Sequence, residues 1–525
     1  FEAWKGSHHQ LAMQPANEQS VLGDFSGVEL VHSGITSRFS RKDGKFVVLT
    51  DGPDGKIAEF EVSYTFGVTP LQQYLVKFPD GRLQVLGTAW DTRPADEGGQ
   101  RWFHLYPDET IDHEDELHWT APSQNWNYMC ADCHSTNLVK GYSASKDLFD
   151  TTWSEINVAC EACHGPGEKH LAWTGLSNEE QAISPHMGLR VQFDERKDVH
   201  WAMNPETGTA SRNLPNKNRK EIEVCASCHS RRGIIQEGAA GEASFLDHYM
   251  PALLTDPLYH ADGQIRDEVF VWGSFVQSRM FHNGVTCSDC HDPHSADLKI
   301  PGDAVCSQCH SPARFATTEH HRHALESPGA SCLDCHMPET TYMVVDPRRD
   351  HSIRIPRPDH SVLYGTPNAC TNCHADQDNQ WATEIFGAWY PDPKAPFQNW
   401  AGAFIQARQG NPSAEGLLAQ VIIDKNVPGL ARATAVFELR NVLSQASAPV
   451  LQESLSDEDP LVRLAALRIL EQIAPQSRYA MAAGLLKDPA LAVRTEAGRV
   501  LAAVDRQALP PAQRDTLEGA IREYI

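Results

Sequence analysis

The residues with the clearest chemical potential are cysteine and histidine, arranged in one repeated pattern. Two cysteines separated by two residues are followed at once by a histidine, and this pattern occurs seven times. Its copies use all 14 cysteines of the 525-residue chain. They are Cys130-Cys133-His134, Cys160-Cys163-His164, Cys225-Cys228-His229, Cys287-Cys290-His291, Cys306-Cys309-His310, Cys332-Cys335-His336 and Cys370-Cys373-His374.

This spacing is typical of covalent haem attachment. Each of the two thiols can form a thioether to one vinyl group of the same porphyrin, and the adjacent histidine becomes the proximal ligand of the iron. Structural zinc and a disulfide framework are the alternatives, but neither needs a histidine directly after every second cysteine. The sequence therefore predicts seven haem c groups, anchored by these cysteines and ligated by these histidines.

A six-coordinate iron needs a second axial ligand, and many of the 25 histidines lie outside the motifs. His294 follows a motif histidine by three residues, and His170 follows another across a Gly-Pro-Gly turn. His320, His321 and His323 form a cluster in which the binding residue stays open, with His323 our prediction. The predicted distal ligands are His9, His118, His170, His260, His294, His323 and His351. Ligation by two histidines favours lower potentials than ligation by His and Met.

Bulk composition limits the partners. The formal net charge is −24, and haem propionates would add to it, which argues against nucleic acid or an anionic membrane surface as partner. No run of 18 apolar residues occurs, so no transmembrane segment is predicted. The chain starts at Phe1, which we interpret as processing or trimming. Haem attachment to this motif normally happens outside the bacterial cytoplasm, so a periplasmic or extracellular location is predicted.

Residues 1–20 form a predicted haem-contacting segment containing Trp4, Ser7 and the pair His8-His9. The Trp-x-x-Ser-His pattern, together with the motifs, resembles multihaem cytochromes of the cytochrome c554, hydroxylamine oxidoreductase and pentahaem nitrite reductase group. The resemblance implies that a histidine of this segment caps a haem from its far side. It also implies an eighth haem motif upstream of residue 1 in the full-length product.

Three further regions follow from composition. Residues 21–92 contain short β-branched and aromatic runs separated by Asp-Gly turns, which predicts a small β insert, a docking surface or a spacer. Residues 93–400 are predicted to be the multihaem domain, mostly helix and loop, with porphyrins filling its core. Residues 401–525 repeat every 31 residues, with Arg432, Arg463 and Arg494 in register. This repeat resembles a HEAT-like helical solenoid, either a binding platform or a cap on the haem domain.

Three functions are compatible with these features. The first is electron transfer between redox proteins or copies of the chain docked through the repeats, which could form a larger assembly or filament. The second, implied by the resemblance, is reduction or oxidation of a small nitrogen or sulfur compound at one open haem. The pentahaem nitrite reductases of the resembled group bind their catalytic haem at a Cys-x-x-Cys-Lys motif, which does not occur here. An anionic pocket could be lined by Tyr342, Arg348, Arg349 and Arg354. The third is a purely structural use of the haems.

Overall fold

The computed structural model describes residues 1–216, 218–238, 243–391 and 397–525. An antiparallel sheet forms the N-terminal region, the seven motifs follow in a middle region of short helices, and a stack of helix pairs ends the chain. None of the helices in these ranges is long and apolar enough to cross a membrane.

The N-terminal sheet has nine strands, paired mainly in sequence order. They are β1 Met13–Pro15, β2 Val28–His32, β3 Ile35–Lys42, β4 Lys45–Asp51, β5 Ile57–Phe66, β6 Leu71–Lys77, β7 Leu83–Val85, β8 Thr88–Asp91 and β9 Arg101–His104. Asp43 and Gly44, both with positive φ, form the tight turn between β3 and β4. The sheet extends beyond the predicted range of 21–92 because β1 and β9 pair with β5 and β8.

Aromatic side chains form the core of this sheet. Phe39 stacks on Trp102 with ring centroids 3.6 Å apart, and Phe25 meets Phe39, Tyr74 and Trp102 edge to face. Offset and edge-to-face pairs of this kind stabilise a core beyond their buried area. The sheet therefore has a side-chain core that needs no cofactor.

A histidine pair in the sheet makes its stability depend on pH. His104 stacks on His32 at 3.7 Å, and burial together with that neighbour lowers the pKa of His104 to about 4 from 6.5. The folded state thus disfavours the charged form, and stability is lost as pH falls from 6.5 towards 4. Because His104 is only partly buried, solvent screening reduces the full effect to about 1–2 kcal/mol.

We therefore expect faster hydrogen exchange in peptides of β2, β8 and β9 at pH 4.5 than at pH 7, after correction for intrinsic rates. His104→Phe, which keeps an aromatic ring but cannot be protonated, should remove most of this difference. Peptides from residues 401–525 serve as the internal control because histidine is absent there. An unchanged pH dependence in the variant would contradict the role of His104.

The middle region consists of short helices and small hairpins, and its second half buries few apolar side chains. Between residues 277 and 399, the buried hydrophobic residues of the described ranges are Val305, Val345 and Ala382. The α-helices are Trp126–Met129, Ala131–His134, Cys160–His164, Glu168–Thr174, Asn178–Ile183, Lys220–His229, Phe245–His248, Trp272–Phe275, Arg279–His282, Cys287–Cys290, Pro312–Phe315, Thr318–His321, Cys332–His336, Pro358–Tyr364, Ala369–Cys373 and Asn379–Trp389. The hairpin strands are Tyr142–Ser143 with Leu148–Phe149, Trp201–Asn204 with Thr209–Arg212, Arg232–Ile234 with Tyr249–Pro251, and Glu339–Tyr342 with Asp346–Arg349.

The C-terminal region is a stack of antiparallel helices. They are Ala401–Arg408, Ala414–Ile423, Gly429–Glu438, Ala448–Ser454, Pro460–Ile469, Pro475–Ala482, Leu491–Leu501 and Pro511–Tyr524. The Asp459 side chain caps the helix that starts at Pro460. Arg463 of that helix makes a bidentate ion pair with Asp488 at 2.8 and 2.9 Å. The repeated arginines therefore tie one helix pair to the next.

The repeats share a hydrophobic core with the middle region. Leu254 is fully buried in the same cluster as the repeat helices, and its backbone N–H donates to the Thr434 hydroxyl at 3.0 Å. Arg408 donates to the Leu254 carbonyl at 2.8 Å, and the Leu491 N–H donates to Asp247 at 2.8 Å. One face of the stack is thus covered by residues 245–276 of the same chain.

Candidate haem-binding sites

Each motif begins in or beside a short helix, and the helix extends to the histidine at the first, second, third and sixth motifs. In a helix, residues at i, i+3 and i+4 lie on one face, so at these four motifs the helical turn directs both cysteines and the histidine to the same side. Side chains at the helix starts favour this conformation: Ser331 caps the turn at Cys332, and Thr286 and Asp289 form a capping box around Cys287. Local sequence therefore shapes each attachment site.

Four motif histidines face a second histidine across a gap. The ring centroids lie 6.3 Å apart for His229 and His9, 6.2 Å for His164 and His294, 6.2 Å for His336 and His320, and 6.1 Å for His374 and His323. Metal–imidazole bonds are about 2 Å, and the centroid lies about 1 Å behind the nitrogen, so two imidazoles on one metal have centroids about 6 Å apart. All four gaps fit one metal ion between two rings.

Hydrogen bonds at Nδ1 orient two of these rings. His336 Nδ1 lies 2.7 Å from the Arg354 carbonyl oxygen, and His323 Nδ1 lies 2.5 Å from the His321 carbonyl oxygen. A histidine held through Nδ1 presents Nε2 to a metal. Burial also lowers the pKa of His134 and of His229 to about 4, so both imidazoles are neutral, as ligation requires.

Several apolar side chains close to the motifs are exposed to solvent. Met129, Leu171, Leu325 and Leu363 are each more than half exposed and lie close in sequence to a motif or to a facing histidine. Apolar surface of this kind is covered when a porphyrin face packs against it. The residues present therefore fit haem.

The cluster at residues 320–323 supplies two facing histidines. Arg322 has a φ of 62°, which ends the helix Thr318–His321 and turns the chain between His320 and His323. As a result, His320 faces His336 while His323 faces His374. Sequence reasoning selected only one member of the cluster, although two histidines three residues apart around a left-handed residue could serve two sites.

Gly329 has no side chain, and this makes room for the His323 ring. A Cβ added at Gly329 would lie 2.2 Å from His323 Cδ2. We therefore expect Gly329→Ala to displace His323 and to convert about one haem per chain to a five-coordinate, high-spin form, read from visible and EPR spectra. Gly484→Ala, where an added Cβ meets nothing within 4 Å, is the control. An unchanged spectrum of Gly329→Ala would refute this placement.

His351 lies near the fourth motif. Its Nδ1 lies 2.9 Å from the Arg349 carbonyl oxygen, and burial lowers its pKa, with His291 among its electrostatic neighbours. His351 is therefore an electrostatic neighbour of the fourth motif, and its role as a distal ligand stays a prediction.

Three predicted distal histidines do not face a motif histidine. His118 is buried beside the N-terminal sheet, with Nδ1 2.8 Å from the Thr120 hydroxyl and Nε2 3.2 Å from Asp51. Both of its nitrogens are therefore occupied, so the prediction for His118 is corrected. His170 contacts the Met187 carbonyl at 2.7 Å, and the position across from His164 belongs to His294.

The third of these residues is His260. Its electrostatic neighbours are Asp262, Arg266, Arg354 and Asp256 rather than a motif histidine. All 25 histidines lie in the described ranges, and none of those outside the motifs faces His134 or His310 at ligation distance. The ring nearest to each is a phenylalanine, Phe66 at 4.4 Å and Phe315 at 5.6 Å.

Contacts between thiols show which motifs adjoin. Thiol side chains adjoin in three pairs, Cys133 with Cys228, Cys225 with Cys287, and Cys332 with Cys306, and each contact raises the pKa of the first-named thiol. Weaker electrostatic contacts relate Cys163 to Cys228, Cys290 to Cys309, and Cys335 to Cys370. The motifs therefore adjoin in the order first, third, fourth, fifth, sixth and seventh, with the second beside the third.

The predicted anionic pocket is neutralised by protein carboxylates. Arg348 pairs with Glu268 and Asp346, and Arg349 pairs with Asp334 at 2.9 Å and Glu339 at 3.0 Å. The ion pair between Arg354 and Asp262 at 2.9 Å is buried, and the Tyr342 hydroxyl donates to the Asp267 carbonyl. The arginines thus act as structural partners of acidic residues.

Comparison with known proteins follows the same division of the chain. The family model for a doubled CXXCH motif matches residues 280–315, and the model for HEAT repeats matches residues 414–502. The chain therefore carries c-type haem attachment motifs together with HEAT repeats. Both predictions from the sequence are confirmed at this level.

Two known cytochromes are similar to the chain. The multiheme cytochrome MtrA of Shewanella baltica (strain OS185) is 26% identical over 212 residues, which are 35% of this chain and 53% of MtrA. The chain thus spans about half the length of this curated relative. The crystal structure of the outer cell wall cytochrome OcwA is similar with a TM-score of 0.46 and 16% identity, over 89% of this chain and 96% of that one. The specific likeness to the cytochrome c554 group is not among these matches.

Proposed function

We propose that the chain is an exported multihaem c-type cytochrome that carries electrons between redox partners through seven covalently attached haems. When bound, haem supplies a one-electron iron couple. The observation that carries the proposal is the set of four histidine pairs, each joining one motif histidine to one histidine from elsewhere at 6.1–6.3 Å.

The proposed axial pairs are His9 with His229, His294 with His164, His320 with His336, His323 with His374 and His351 with His291. Neighbouring motifs have adjoining thiols from the first motif to the seventh, which supports an uninterrupted series of haem sites. The second and seventh motifs are the most open to solvent, since Cys160 and Cys373 are the two exposed cysteines of the chain. We propose that partners exchange electrons near the second and seventh motifs.

We propose a periplasmic or extracellular location, in line with the chemistry of haem attachment. The shared core around Leu254 supports a stabilising role for the HEAT repeats, which cover the linker between the third and fourth motifs. Self-association through the outer face of the repeats, an eighth haem upstream of Phe1 and a filament remain predictions.

Intact-protein mass spectrometry tests the proposal directly. We expect the mass increments of seven porphyrins on this chain, together with a reductive titration in which most haems have low potentials. Zinc in place of porphyrin, or a mass without these increments, would overturn the proposal. Potentials mostly above about +200 mV would contradict the predicted bis-histidine ligation.

A second candidate function is oxidoreduction of a small nitrogen or sulfur compound. It is favoured by His134, which faces Phe66 rather than a second histidine and has Arg348 among its electrostatic neighbours. EPR and visible spectra of the oxidised protein, with and without nitrite, hydroxylamine or cyanide, separate the two functions. A high-spin signal that shifts with these ligands supports an enzyme, and a low-spin, unreactive spectrum supports electron transfer alone.

A further inference from the structure

A buried guanidinium lies where the first and third motifs meet. Arg232, whose side chain is 6% exposed, begins the strand that follows the third motif. Its Nη2 lies 2.5 Å from Asp132 Oδ2 and 3.4 Å from Cys133 Sγ. Cys133 Sγ in turn lies 3.7 Å from the Cys228 carbonyl oxygen. One charged pair is thus in contact with the thiol of one motif and next to the other motif.

The position of this pair is fixed on all sides. Arg232 Nε donates to the Ser227 carbonyl at 2.8 Å, and its guanidinium stacks 3.9 Å from the centre of the Tyr249 ring. The Tyr249 hydroxyl donates to Asp132 Oδ2 at 3.2 Å. A planar fork that stacks and forms several hydrogen bonds at once is a property of arginine rather than lysine.

The HEAT repeats hold the strand that carries Tyr249. Arg232 pairs with Pro251 in the hairpin, and Ile234 pairs with Tyr249. Three residues beyond Pro251, Leu254 is bonded to Thr434 of the repeats. Packing that extends to the C-terminal repeats therefore holds the Arg232–Asp132 pair at a fixed distance from the motif thiols.

Fixed charges close to a redox group change its potential, and their effect is strong where water is excluded. A positive charge favours the reduced state, which carries one positive charge less, and a negative charge favours the oxidised state. We propose that the Arg232–Asp132 ion pair sets the reduction potentials of the groups attached at the first and third motifs. This inference rests on the proposed function, because it requires haem at both motifs.

The two single variants should shift the reduction potentials in opposite directions, which a merely structural ion pair would not produce. Arg232→Gln leaves Asp132 uncompensated and should lower the potentials of one or two of the seven components in a spectroelectrochemical titration. Asp132→Asn leaves Arg232 uncompensated and should raise them. The double variant should return close to the wild-type titration. Shifts of the same sign in both single variants, or none, would overturn the inference.

Arg432→Gln is the matched control. Arg432 is also 6% exposed and ion-paired, with Asp457, but it lies in the repeats away from every motif, so its loss should leave the titration unchanged. If Arg232→Gln does not accumulate, Asp132→Asn decides alone: a rise supports the inference, and its absence overturns it. Intact mass distinguishes the two proposals, since missing porphyrin refutes the proposed function, whereas unmoved potentials in a fully loaded protein refute only this inference.

Discussion

Replacing His294 with alanine should convert about one haem per chain from a six-coordinate, low-spin form to a five-coordinate, high-spin form. His294 is the ring that faces His164, with centroids 6.2 Å apart and ring planes 15° from parallel. Its removal leaves the second motif with a single imidazole, and an open axial position also admits external ligands. EPR and visible spectra of the oxidised protein, and carbon monoxide binding to the reduced protein, measure the change.

His170→Ala is the matched control for this experiment. His170 lies in the same region and among the electrostatic neighbours of His164, but its Nδ1 contacts the Met187 carbonyl and its ring stacks on Trp173. The control variant should keep the wild-type spectra. A high-spin signal in His170→Ala and none in His294→Ala would reverse the assignment of the two residues.

Preventing haem attachment should unfold residues 277–399 while the N-terminal sheet and the HEAT repeats stay folded. Residues 277–399 bury almost no apolar side chains in their described part, so without porphyrin the hydrophobic contribution of this segment is too small to offset its conformational entropy. The N-terminal sheet has its own aromatic core, and the repeats have a core of leucine, valine and alanine. Removal of the cofactor thus acts on one region selectively.

Limited proteolysis of protein made without cytochrome c maturation tests this expectation. Cleavage should concentrate in residues 277–391, and fragments covering 13–104 and 401–525 should persist. The haem-loaded protein under the same conditions is the control and should resist cleavage in all three regions. Protection of residues 277–391 in the protein without haem would show that side chains alone form a sufficient core there.

The sequence by itself determined the chemistry and the local structure. The Cys-x-x-Cys-His copies identified the attachment residues because the chemistry requires neighbouring thiols and an adjacent histidine within one helical turn. Asp43-Gly44 and Asp459-Pro460 marked a hairpin and a helix start for similarly local reasons. The 31-residue period of Arg432, Arg463 and Arg494 predicted the repeats, because each helix pair packs against its neighbour in the same way.

Only the tertiary structure decided which histidines face which motifs. His9 faces His229 and His294 faces His164, although each pair is far apart in sequence, while His118, another predicted ligand, is bonded to Asp51 and Thr120. The same holds for the order in which motifs adjoin, and for the repeat face that residues 245–276 cover. Ligand pairing and motif order depend on contacts between distant segments, which follow from packing and not from local spacing.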